Sequence, residues 1–172
     1  MDAQRNPSDL PEVQRLASSR AQTPLRLLLW LTLGAWIGVW LLFGLVVAPT
    51  AFRVLPSPHL AGSLVGPVLE SLQLFGAAAG LGLAAIAAWL RCGLLQRLLP
   101  LGMGLVCLYS QFGLSAEIAE IQNGAFGPQG SEALATRFNQ LHRLSVGLFV
   151  AVGIGALTLA ALHARDEARR EG

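Results

Sequence analysis

Lysine is absent from this chain of 172 residues, and all twelve basic residues are arginine. Charged residues of either sign make up only 13% of it, against about a quarter in an average soluble domain. A soluble chain this short would need more polar surface to stay in water. The deficit therefore points to lipid as the solvent for much of its surface. Net charge is only +2, and no basic run is long enough to track a phosphate backbone, which argues against a nucleic-acid partner. There are two cysteines, Cys92 and Cys107, in no CxxC pair, so zinc and dithiol chemistry have no motif behind them. The pair would lie at different membrane depths, which disfavours a disulfide. No nucleophile–base constellation stands out, so the chain does not read as an enzyme. Arginine without lysine, together with abundant Ala, Gly and Leu, is the composition of a GC-rich genome, and a bacterial source is expected.

What the chain does have is apolar length. Hydrophobic residues make up 53% of it, and they fall into four charge-free stretches. These lie between Arg26 and Arg53, Glu70 and Arg91, Arg97 and Glu117, and Arg143 and Arg165. Each is long enough to cross a hydrocarbon core of about 30 Å as a helix. Helices are required because lipid offers the backbone no hydrogen-bond partner. The expected fold is an all-α four-helix transmembrane bundle with spans near 27–48, 68–90, 98–116 and 141–163. Trp30, Trp36, Trp40 and Trp89 supply candidate interfacial anchors. Residues 1–24 read as a polar, disordered tail with at most a short helix near 12–20, and 164–172 as a charged tail. The first apolar stretch is too long for the core of a signal peptide.

Four spans put Arg5, Arg15, Arg20, Arg26, Arg91, Arg97, Arg165, Arg169 and Arg170 on one side. Only Arg53, Arg137 and Arg143 lie on the other. The positive-inside rule then places both termini in the cytoplasm, and a bacterial inner membrane is the expected location. Small residues recur at helix-contact spacing: Gly34 and Gly38, Gly76 and Gly80, and Gly147, Ala151 and Gly155. Packing within the bundle is their plainer use, and homo-oligomerisation or contact with another membrane protein the alternative. Prolines 49, 56, 58 and 67 predict an irregular first outer loop over 49–67, with a short interfacial segment near 59–65. The second outer loop centres on 123–130, and Ser131 is a candidate N-cap for the fourth helix.

Most polar residues outside the tails gather on the outer side, and the cytoplasmic halves look plainer. Folding the last two spans into an antiparallel hairpin sets Glu117 opposite Arg137, Gln111 near His142 and Arg143, and Tyr109 near Ser145. Adding Glu70, Gln73 and Arg53 gives one polar cluster at the outer mouth. Intramembrane polarity of this kind ordinarily faces a bundle interior or a wet cavity. Glu117 with Arg137 also reads as an ion pair holding the hairpin, and Glu70 as an interfacial residue favoured by a helix dipole. His142 is a candidate ligand for metal or haem, or a proton carrier. His59 is the other histidine on that side. Met103 and Cys107, four residues apart, form a soft pair that could suit Cu(I), but no third soft ligand is evident and ordinary helix packing is the plainer reading. His163 reads as an interfacial side chain.

The segment Gly44-Leu-Val-Val-Ala-Pro-Thr-Ala-Phe-Arg-Val-Leu-Pro56 resembles the opening of the domain-of-unknown-function family 4149, the bacterial relatives of transmembrane protein 205. Arg137-Phe-Asn-Gln-Leu-His-Arg-Leu-Ser145 resembles that family's signature at the start of its fourth helix, with Phe138, His142 and Ser145 matching. Ala61-Gly62 also fits, and the resemblance extends over about 26–163. It implies a four-helix membrane fold without a known reaction. A more distant likeness to the superfamily around copper-resistance protein D implies metal or haem ligation, but this chain lacks a Met-rich or multi-His cluster.

Three functions follow as expectations. The first is a non-enzymatic membrane component whose outer polar cluster binds a partner or small ligand, with no cofactor. The second is a haem- or copper-binding redox protein using His142. The third is an oligomeric transporter or channel, although the two halves show no internal repeat of the kind transporters use.

Overall fold

Each apolar run closes its own backbone hydrogen bonds, and all four do so as helices. The computed structural model describes residues 10–126 and 131–171, and among these the regular structure is entirely helical. Helix α1 runs Leu10–Leu42, passes through a π-helical turn at Phe43–Val47, and ends as Ala48–Val54. Helix α2 is Pro58–Trp89. Helix α3 runs Leu94–Tyr109, takes a second π turn at Ser110–Ser115, and ends as Ala116–Phe126. Helix α4 is Glu132–Glu171. Gln22–Val54, Pro58–Trp89, Leu94–Gln122 and Glu132–Arg169 are each long and apolar enough to cross a bilayer. The protein is an all-α four-helix transmembrane bundle. Large apolar side chains on its outside, such as Leu31, Leu45, Leu81, Leu105 and Ile154, are exposed to lipid.

Two segments expected to be irregular are helical. From Leu10 onward the polar N-terminal segment continues into α1. Its Glu, Gln, Arg, Leu and Ala are good helix formers, and an existing span propagates into them without a new nucleus. Residues 1–9 lie outside the described residues. The first distal loop shrinks to 55–57 (distal meaning the end away from the termini). Proline at a helix start loses nothing by lacking an N–H, and Pro58 stands at the first position of α2, while Pro49 follows the π turn within the continuous α1. Ser57 caps α2, its Oγ accepting from Leu60 N at 3.3 Å. Pro67 is tolerated inside α2, where Ser71 Oγ donates to its carbonyl at 3.1 Å. That bond is ordinary back-bonding along the helix; the carbonyl freed by the missing N–H is the one four residues earlier, at Ser63. The centre of the second distal turn, 127–130, lies outside the described residues; after it α4 begins at Glu132, directly after Ser131.

The α2–α3 turn ends α2 with paired carbonyl closures: Cys92 N donates to Ala87 O at 2.9 Å and Arg91 N to Ala88 O at 3.1 Å. That closure puts Arg91 at φ 53°, a left-handed position usually given to glycine.

Helices α2 and α3 are the most closely packed pair, and glycine makes this approach possible. A Cβ on Gly80 would stand 2.5 Å from the Pro100 carbonyl oxygen and 3.0 Å from Gly104 Cα. Gly76 faces Cys107 and Trp36, and Gly155 faces Met103. These glycines thus serve packing within the bundle, as do Met103 and Cys107, both in the core. Gly34, Gly38 and Gly147 meet nothing within 4 Å. Trp36 and Trp40 are core residues rather than interfacial anchors, whereas Trp89 is 78% exposed. Trp40 Nε1 donates to Phe149 O at 2.8 Å and its ring stacks on Phe149 at 4.4 Å, joining α1 to α4. Cys92 and Cys107 are both buried and form no disulfide with each other.

The end near the termini is a second polar centre that the sequence reading passed over. Trp30 Nε1 donates to Glu167 Oε1 at 3.0 Å, and Gln96 Nε2 donates to Asp166 Oδ2 at 2.9 Å. Gln96 Oε1 accepts from Gly93 N at 2.8 Å, capping α3. His163, expected at the interface, is instead 6% exposed and lies edge-on to Trp30. These contacts tie α1 and α3 to the last turns of α4.

Candidate functional site

In its distal half the bundle opens into a groove of about 1000 Å³, lined by all four helices. Both π turns contribute to it: Phe43, Gly44 and Leu45 from the first, and Gln111, Phe112 and Ser115 from the second. A π turn inserts an extra residue into a helix and so redirects the faces on either side of it; such turns recur at functional sites. At the first π turn α1 and α4 are in close touch. A Cβ on Gly44 would stand 3.0 Å from Phe149 Cε1. Towards the termini the groove continues as an apolar trough between Ile37 and Leu41 of α1 and Ile154 and Leu157 of α4. Leu41, Leu45, Ile154 and Leu157 are also exposed on the outer surface, so the trough opens sideways to lipid.

The polar lining is at the distal end. Of the residues singled out from sequence, the groove brings together Glu70, Gln111, His142 and Ser145. Glu70 precedes Trp89 by 19 residues, about 28 Å along a helix, which sets it near the far boundary of a hydrocarbon core about 30 Å thick. Contacts between helices set the level of its neighbours. Gly62 lies against Gln122 and Ser115 Oγ stands 3.5 Å from Gln73 Oε1, while Arg137 pairs with Glu117. This register sets Glu70 at about the depth of the Glu117–Arg137 pair, roughly a turn and a half of helix beyond His142. Gln111 Oε1 is buried with no hydrogen-bond partner. His142 is exposed to the groove, its ring parallel to that of Phe138 at 6.0 Å.

The other predicted residues are placed elsewhere. Glu117 and Arg137 form the expected ion pair, with Arg137 Nη2 donating to Glu117 Oε1 at 2.8 Å and Nε at 3.1 Å, but neither lines the groove. Arg53 and Arg143 are exposed and outside it. Tyr109, set near Ser145 by the hairpin register, is instead 58% exposed. Register fixes depth but not face, and the π turn that begins at Ser110 changes the face. Gln73 is buried in contact with Ser115 rather than displayed in the groove. Two lining residues were not drawn into the cluster by sequence reading: Gln122, and His59, whose Nδ1 is 3.4 Å from Gln122 Nε2. Only their shared end of the hairpins could have suggested them. Among the described residues, no three His, Cys, Asp or Glu side chains stand together as a metal site would need.

No curated protein and no solved structure gives a significant match to the chain. A family model described as a domain of unknown function, DUF4149, matches residues 31–126. That match covers α1 from Leu31, all of α2, and α3, including both π turns, and ends before α4 and the Phe138, His142 and Ser145 resemblance. The chain belongs to the DUF4149 family and is a multi-pass membrane protein with four candidate spans.

Proposed function

We propose that the protein is a non-enzymatic membrane component that holds a small, membrane-borne ligand in the distal groove. The observation that carries this reading is the groove's division into two parts. An apolar trough opens to lipid between α1 and α4, and it leads to a polar end at Glu70, Gln111 and His142. Ligand sites are typically concave, mostly apolar, and given orientation by a few polar groups. A ligand entering from the bilayer would slide its apolar part along the trough and meet the polar groups last. The arginine distribution supports cytoplasmic termini in a bacterial inner membrane, which would turn the polar end to the outer side.

A haem or copper centre on His142 fits the residues less well. No three-ligand group surrounds it among the described residues, and no arginine lines the groove to meet the carboxylates of a haem. A visible-range spectrum with metal analysis of the purified protein, alongside His142→Ala, decides this point. The expected result is no Soret band and no stoichiometric metal; a band or metal lost in the variant would replace the ligand-groove reading with a cofactor one.

The groove reading is tested by photolabelling in native-like membranes with a diazirine-bearing acyl chain, followed by peptide mapping. Label is expected to concentrate on the trough residues of α1 and α4. Val150→Trp, which puts an indole where an exposed lining valine stands, should reduce it. Even labelling around the whole bundle, unchanged by Val150→Trp, would contradict the reading.

A further inference from the structure

Building on the ligand-groove reading, we infer that the groove takes a lipophilic cation, with Glu70 as its counter-ion. Arg53, Arg137 and Arg143 all stand outside the groove, and its titratable lining groups are Glu70, His59 and His142. Glu70 is the only carboxylate among the described lining residues, and no arginine is among them. Glu70 has no hydrogen-bond or ion-pair partner among the described residues, in contrast to Glu117, which is held by Arg137. Glu70 is exposed, so its carboxylate is open to a countercharge from the groove. A cation arriving in the groove supplies one.

The walls suit the rest of such a ligand. Phe52 of α1, Phe112 of α3 and Phe138 of α4 line the groove, as do Trp40 and Phe149, whose rings are stacked on each other. Aromatic faces attract organic cations and also accept the apolar groups that surround the charge. An anionic amphiphile would face the opposite balance, meeting Glu70 with no lining arginine to offset it. The groove therefore discriminates by sign of charge, and its apolar trough sets the requirement that the cation be hydrophobic.

The test uses two probes of the same shape and opposite charge, tetraphenylphosphonium and tetraphenylborate. Each is titrated calorimetrically into the purified full chain in neutral detergent, with protein-free micelles subtracted. The phosphonium is expected to bind saturably, and at least about tenfold more tightly than the borate, the factor that follows from roughly 1.4 kcal/mol of preference. Glu70→Gln should abolish that preference and Glu70→Asp, which keeps the charge, should preserve it. Equal binding of both ions, indifferent to Glu70→Gln, overturns the cation assignment and leaves the ligand groove standing. Saturable binding of neither ion also overturns the assignment; the groove reading itself then falls only if photolabelling is uniform as well.

Discussion

Gly80→Ala is expected to loosen the bundle where it is tightest. The added methyl would lie 2.5 Å from the Pro100 carbonyl oxygen, 3.0 Å from Gly104 Cα and 3.1 Å from Gly104 N. A comfortable non-bonded contact is about 3.5 Å, so α2 and α3 must part by roughly 1 Å or one of them must bend. The atoms in the way are backbone, which no rotamer change can move aside. Overpacking of this kind costs about 1–3 kcal/mol. Alanine's higher helix propensity returns at most about 1 kcal/mol, and less where the denatured state stays helical in detergent. The net loss should be about 1–2 kcal/mol. Gly34→Ala is the control, since its methyl meets nothing within 4 Å and should be neutral or slightly stabilising. Both are read by reversible denaturation in mixed micelles, following Trp fluorescence. Equal stability of the two variants would refute the argument that Gly80 is there for close approach.

Three further perturbations probe other parts of the account. Gln96→Leu removes the bond to Asp166 and the cap on Gly93 N at a buried position, and should cost about 1–3 kcal/mol in the same denaturation assay. Arg137→Ala breaks an ion pair whose partners are 54% and 41% exposed, and should change stability by less than about 1 kcal/mol. Arg91→Gly relieves the left-handed backbone at φ 53° and should raise the thermal midpoint, with a gain of up to about 1 kcal/mol.

The sequence carried the fold because four charge-free stretches leave a chain in lipid few alternatives to four spanning helices. It also carried the Glu117–Arg137 pair, since an antiparallel hairpin fixes which residues share a depth. Face was harder to read. Two π turns, at Phe43–Val47 and Ser110–Ser115, break the helical period that any face assignment depends on. Tyr109 was misassigned for that reason, while Gln111, inside the second turn, does reach the groove. The distal prolines do not make a loop because Pro58 initiates α2 and Pro49 is carried inside α1 directly after its π turn. The buried bonds from Trp30 to Glu167 and from Gln96 to Asp166 join residues far apart in the chain. No local pattern announces such pairs, and charged residues after a span look like a solvated tail until α1 and α3 are placed against them.

The most direct test of the central claim is an electron cryomicroscopy map of the protein in lipid nanodiscs. An open trough is expected between Ile37 and Leu41 of α1 and Ile154 and Leu157 of α4, on the termini side of the Trp40–Phe149 stack, holding elongated density that ends beside Glu70 and His142. A map with α1 and α4 closed against each other along that stretch, leaving no room between Leu41 and Ile154, would contradict it.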